Sequence, residues 1–163
     1  MRIKNWYALV LIGLLAAAQL AVADSSTQLH GLWRLVAYEV ESQKTGQKES
    51  VMGQHPTGYG LFTPEGRIFF ILTGEGREPA KTVQGRADLL DSLIAYTGTY
   101  RVEGDQWITR VDTAWNPEWI GTEQVRTFRV DGERLQILTP WRVMPNWSEK
   151  GTTRSIVTFE RAK

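Results

Sequence analysis

The sequence predicts an all-β protein: an eight-stranded antiparallel up-and-down β-barrel carrying one amphipathic helix between strands three and four. Three observations lead there. Short runs of aliphatic and aromatic residues alternate with turn residues along most of the chain, the pattern of an all-β sandwich or barrel. Neighbouring runs are mostly joined by hairpin-length connections built on Gly, Pro or Asp-Gly. Eight antiparallel strands can close on themselves and so remove their exposed edges.

The first strand is Gly31 to Glu41 (GLWRLVAYEVE), rich in aliphatic and aromatic side chains. Gly58 to Thr63 and Arg67 to Thr73 (RIFFILT) flank Pro64-Glu65-Gly66, a compact hairpin loop. Val83 to Ile94 breaks the alternation: Val83, Ala87, Leu89, Leu90, Leu93 and Ile94 make one apolar helix face, with Arg86, Asp88 and Asp91 elsewhere. That helix is expected to plug one end of the barrel or lie against its wall. Tyr96 to Glu103 and Asp105 to Thr113 flank Gly104; Glu123 to Val130 and Glu133 to Thr139 flank Asp131-Gly132, a pair suited to a type I′ turn. Thr153 to Arg161 is the last strand.

Composition limits the function classes. The 163 residues include no Cys, 7 Trp and 15 Gly, with 42% hydrophobic and 23% charged residues. The missing cysteine excludes a thiol nucleophile, a Cys-ligated metal and a disulfide. Arg2 and Lys4, the apolar run Ala8 to Ala18 and Ala21-Val22-Ala23 together describe a secretory signal peptide over residues 1–23, cleaved after Ala23. The rival is an uncleaved anchor, but the apolar run is shorter than the ~20 residues a spanning helix needs. Residues 24–163 are then one barrel domain in the periplasm or medium, with no stable membrane anchor. Without Arg2 and Lys4 the chain has 17 basic and 18 acidic residues, a net charge of −1. No basic patch stands out, so a nucleic-acid partner is not expected.

Several stretches resemble the bacterial and fungal lipocalin-like domain family: GLWRLVAYEVE at 31–41 with its Gly31-Leu32-Trp33 signature, the Pro-to-Gly pattern from Pro56 to Gly66, YTGTYRVEGD at 96–105, and NPEWIGTEQVRTFRVDGERL at 116–135. The resemblance spans about 31–161, in the same motif order. It implies a small up-and-down barrel whose broader relatives carry apolar small molecules, a few barrel relatives being cyclases or isomerases. It also implies structural roles for Gly31, Trp33 and Arg161, the arginine packing across the tryptophan as a cation–π closure of one barrel end. Where the family pattern has a histidine in the fifth strand this chain has Thr109-Arg110, which weakens the case for an activity that depends on it.

The residues themselves suggest a lined interior. In the strand from Tyr96, one face carries Tyr96, Gly98, Tyr100 and Val102. In the strand from Glu123, one face carries Gln124, Arg126, Phe128 and Val130. If Phe128 faces inward, so does Arg126, and a buried arginine must be paired. Its partner is either an internal carboxylate, Glu39 being the candidate beside Trp33 and Leu35, or the anionic head of a ligand. The alternation is equally open to a one-residue slip that reverses the faces. Candidate ligand-binding residues are therefore Phe70, Tyr96, Tyr100, Trp107, Trp119, Gln124, Arg126 and Phe128, with Arg126 and Tyr100 as polar anchors. The competing reading of the aromatics is plain core packing.

Two loops with tryptophans, Trp115 to Trp119 and Pro140 to Gly151, could form a pocket rim, meet a partner or rest on the helix. Ile68 to Leu72 is apolar on both faces, so the helix, or a homodimer contact through Phe69 and Ile71, is needed as cover. His30 and His55 lack neighbours at metal-ligand spacing, and no metal, cofactor or catalytic residue is expected. The leading reading is a barrel that binds a small apolar or amphipathic ligand. The alternatives are a cyclase- or isomerase-type barrel enzyme and a filled barrel acting through its surface.

Overall fold

The computed structural model describes residues 26–163; the leader assigned to residues 1–23 lies outside the described residues. The strands are β1 (Gly31–Ser42), β2 (Lys48–Glu49), β3 (Thr57–Phe62), β4 (Arg67–Thr73), β5 (Leu93–Glu103), β6 (Gln106–Ala114), β7 (Glu123–Asp131), β8 (Arg134–Leu138), β9 (Arg142–Val143) and β10 (Thr152–Arg161). The helix α1 spans Val83–Asp91, and short 3-10 segments cover Pro117–Trp119 and Pro145–Lys150. Eight long strands pair antiparallel in the order β1-β3-β4-β5-β6-β7-β8-β10, and β10 returns to β1. That last pairing closes the barrel. The two-residue strands β2 and β9 extend β1 and β10 at one end. Because β2 adds a strand to the count, α1 falls between the fourth and fifth strands of the chain rather than the third and fourth.

One end is sealed by local chemistry. Trp33 pairs with Arg161 across the closing ladder, and the guanidinium carbon sits 4.2 Å from the indole ring centre. Arg161 also donates to the carbonyls of His30 at 2.8 Å and Gln28 at 3.1 Å, and the Trp33 indole donates to Leu29 at 2.7 Å. Gly31 has φ +113, and a Cβ there would lie 3.1 Å from the Arg161 guanidinium, so only glycine lets the arginine lie so close. Inside, rings fill the middle of the barrel. Trp107 and Phe70 stack at 6.2 Å, Phe62 meets Trp107 edge-on at 5.0 Å, and Phe128 lies 5.9 Å from Trp107.

Three expectations change. First, β1 carries a bulge between Leu35 and Ala37. Trp33 and Leu35 are buried before it, and Tyr38 and Val40 after it. The extra residue inverts the alternation, so Glu39 leaves the inner face and is no partner for Arg126. Second, the helix stops at Asp91, and Leu93 and Ile94 join β5 through the pairs Thr73–Leu93 and Leu72–Ile94. No residue of α1 is buried, and Val83 and Leu90 are 76% and 51% exposed. The interior is already full, so the helix perches outside, fixed by the Thr82 cap and by the Asn146 amide, which donates to the carbonyls of Asp91 at 2.7 Å and Leu93 at 3.1 Å. Third, α1 does not cover the outer face of β4: Phe69 and Ile71 stay exposed.

β6 is bulged opposite Thr97 and Gly98, with Asp112 as its extra residue, and a Cβ on Gly98 would sit 2.1 Å from the Arg110 carbonyl oxygen. Gly98→Ala must therefore push β5 from β6. The expected result in urea unfolding is a loss of about 2 kcal/mol or more, against about 1 kcal/mol for Gly104→Ala, where the turn has open space and only the φ of +63 strains a Cβ.

Candidate functional site

At the end opposite Trp33, the interior holds a void bordered by Tyr38, Phe70, Leu72, Ile94, Tyr96, Trp107, Trp119, Arg126, Ile137, Thr139, Arg142, Val157 and Phe159. Its volume is about 30 Å³, room for about two water molecules. The barrel is thus mostly filled by its own side chains, with a small cavity where the packing turns polar.

The polar part is built by two strands and a 3-10 turn. The inward face of β7 delivers Gln124, Arg126 and Phe128, as alternation requires. β9 contributes Arg142, and the 3-10 turn Pro117–Trp119, capped by the Asn116 side chain on the Glu118 amide at 3.0 Å, turns Trp119 inward. Arg126 is 5% exposed. It donates to the Val125 carbonyl at 2.8 Å and, more weakly, to Gln124 Oε1 at 3.3 and 3.4 Å. Arg142 donates to the same Gln124 Oε1 at 2.8 Å. Both guanidinium carbons face the Trp119 ring, at 5.8 Å and 5.0 Å. The two cations therefore share one neutral acceptor and one aromatic ring, and none of the residues bordering the void is a carboxylate.

The electrostatics follow from that crowding. Burial, with the like charge of Arg126, pushes the Arg142 guanidinium down to about 10. Its Nε is buried without a hydrogen-bond partner. Burial likewise raises the phenols of Tyr38 and Tyr96, while both arginines pull them back. Tyr38 is tied to Ser155 Oγ at 2.9 Å; Tyr96 stacks on Phe70 at 5.2 Å and meets Trp119 edge-on at 5.6 Å.

Of the residues singled out in the sequence, Phe70, Tyr96, Trp107, Trp119 and Arg126 border this void. Gln124 stands behind it as the link between the arginines, and Phe128 backs Trp107. Tyr100 is elsewhere. It lies four residues along β5 from Tyr96, ~13 Å at strand rise, and its hydroxyl donates to the Thr63 carbonyl at 3.3 Å near the sealed end. It is not a second anchor beside Arg126. Arg142 and Tyr38 were missed. Arg142 sits in a segment read as loop, where the structure exposes Trp141 and Val143 and turns Arg142 and Met144 inward, and no sequence period announces that choice. Tyr38 was hidden by the bulge. In the same segment Trp147 is buried and meets Tyr38 edge-on at 5.6 Å, so this tryptophan closes over the void's end of the barrel. Trp141 instead lies partly exposed under Arg154.

Comparison with known proteins adds the following. A family model described as a lipocalin-like domain matches residues 30–162. No curated protein matches the chain. Among solved structures, the chain is similar to a redesigned β-barrel, b11L5F_LGL, at 12% identity and TM-score 0.43, covering 85% of this chain and 95% of that one. It is also similar to EF1p2_mFAP2b bound to DFHBI, at 13% identity and TM-score 0.44, covering 86% of this chain and 99% of that one.

Two outcomes follow from the crowded cations and phenols. Arg142→Met removes a desolvated charge beside a like charge, so the unliganded protein should gain about 1 kcal/mol or more in urea unfolding; a loss of that size would mean that Arg142 is held by a compensating anion of the protein itself. Tyr38 and Tyr96 have folded pKa values raised above 10.0. The stability this contributes is fully present below the unfolded value and is lost as pH rises through the folded one. Alkaline difference spectroscopy should show three phenols that stay protonated above pH 10: Tyr38, Tyr96 and the part-buried Tyr100, whose phenol burial also raises.

Proposed function

The chain belongs to the lipocalin-like domain family, and from that footing we propose that it binds a small amphipathic ligand whose anionic head lies between Arg126 and Arg142. The observation that carries this reading is the pair itself: two guanidiniums drawn into an apolar interior with only Gln124 Oε1 and the Val125 carbonyl to answer them. A buried cation without a counter-charge is costly, and a ligand that supplies one removes the cost on binding. The walls support an apolar body, since Phe70, Leu72, Ile94, Trp107 and Trp119 border the same void. The size of about 30 Å³ limits that body. It holds about two water-sized groups as it stands, so a head group with a short stub displaces neighbouring side chains, and a long acyl chain requires the aromatic stack to repack.

We read residues 1–23 as the leader that delivers this barrel to the periplasm or medium. Protein recovered from that compartment should begin at Asp24 on N-terminal sequencing; a chain that begins at Met1 rules the reading out.

Binding is tested with pentanoate, by calorimetry and by the fluorescence of Trp119 and its neighbours. Arg126→Met should weaken it at least about tenfold, the loss expected when a charge-assisted hydrogen bond is removed. Phe69→Ser, on the outer face, should leave it unchanged. Saturable binding that survives Arg126→Met would mean that the arginine is structural.

A second reading has one observation in its favour. Tyr59, Phe69 and Ile71 are exposed together on the outer face of β3 and β4, 49%, 44% and 62% respectively. Such a face serves a partner or a second copy. Sedimentation equilibrium of wild type and Ile71→Lys decides it for the second copy, a dimer lost in the variant being the supporting result.

A further inference from the structure

We propose that the head group this site takes is a doubly charged tetrahedral oxyanion of the phosphomonoester kind. The proposal rests on the anion-binding reading above and narrows it to a ligand class.

The first argument is charge. The site holds two guanidiniums, and the residues bordering it include no carboxylate. A monoanion answers one of these cations and leaves the other uncompensated in a low-dielectric interior; a dianion answers both. The second argument is geometry. Arg126 and Arg142 both reach one atom, Gln124 Oε1, at 3.3 Å and 2.8 Å. Two donors that converge on a single oxygen are close enough to be bridged by one compact group. A dicarboxylate carries its charges on separate carbons and matches this convergence less well than a phosphoryl group with three terminal oxygens. The third argument is the surplus of donors. Arg142 Nε, on one of the residues bordering the void, is buried without a partner. With the remaining N–H groups of the two guanidiniums, it exceeds the acceptors that Gln124 and Val125 provide. An acceptor-only ligand with several oxygens fits that imbalance, and a hydroxylic ligand does not. The last consideration is size: a cavity of about 30 Å³ favours the most compact group that carries two charges, and its ester substituent has to displace side chains that now close the void.

The shared chemistry is the phosphoryl dianion, whether free inorganic phosphate or the head of a small phosphomonoester. The test is a calorimetric panel on the wild-type protein with residues 24–163 intact: n-butyl phosphate, pentanoate, 1-pentanol and inorganic phosphate, at pH 5 and pH 8. A phosphomonoester loses its second proton near pH ~6, while a carboxylate is already ionised at both pH values. The expected result is butyl phosphate binding at least about tenfold tighter than pentanoate at pH 8, an advantage that shrinks at pH 5. Arg142→Met should bring the two ligands to similar affinity. Inorganic phosphate equal to butyl phosphate would keep the dianion and identify free phosphate as its source. Pentanoate equal to or tighter than butyl phosphate at pH 8 would overturn the dianion while leaving the anion-binding reading intact. Pentanol binding as well as either would overturn both.

Discussion

Closure of the sheet by β1 against β10 is the constraint on which everything else in this molecule depends. It fixes the register Trp33–Arg161 at one end and Tyr38–Val157 further along, with a one-residue bulge in β1 between them. Before the bulge the inner face is Trp33 and Leu35; after it, Tyr38 and Val40. That single extra residue has two effects. It lets the strand bend around the barrel, and it exchanges the inward side chain at the open end from a carboxylate to a phenol. Had the alternation run on unbroken, Glu39 would have pointed at Arg126 and the site would have been a closed ion pair. With the bulge, the interior keeps two cations and no acid among the residues around the void.

The barrel divides its interior along the axis. Phe62, Phe70, Trp107 and Phe159 pack on one another and fill the middle, with Phe70, Trp107 and Phe159 also forming the floor of the void. Toward β9 the packing gives way to Arg126, Arg142, Gln124 and the ring of Trp119 near both guanidiniums. A filled middle and a polar end are compatible. The aromatic stack supplies the stability that a cysteine-free chain needs, and the small void near the mouth is where that packing stops.

Much of this was legible from alternation alone. The inner face of β5, with Tyr96 and Gly98, and that of β7, with Gln124, Arg126 and Phe128, follow from the two-residue period because neither set of residues is interrupted between its members. The turns were legible because Gly104 and Gly132 carry the positive φ that tight hairpins demand. What was not legible has a common cause. Glu39 and Tyr38 depend on a bulge, which no local residue announces. Arg142 belongs to a two-residue strand, too short to show a period, and it turns inward only because β10 pairs with it. The helix showed an apolar face that nothing in the fold receives, since the barrel had already been filled from within.

The central claim is that the two buried guanidiniums are complete only with an anion between them. Native mass spectrometry of the protein, purified gently from the compartment in which it accumulates, tests it most directly. The account predicts a small acidic adduct on the wild type that is lost on denaturation and absent from an Arg126→Met, Arg142→Met double variant. An adduct that persists in the double variant, or a wild type that stays free of any adduct across a series of added oxyanions, would contradict it.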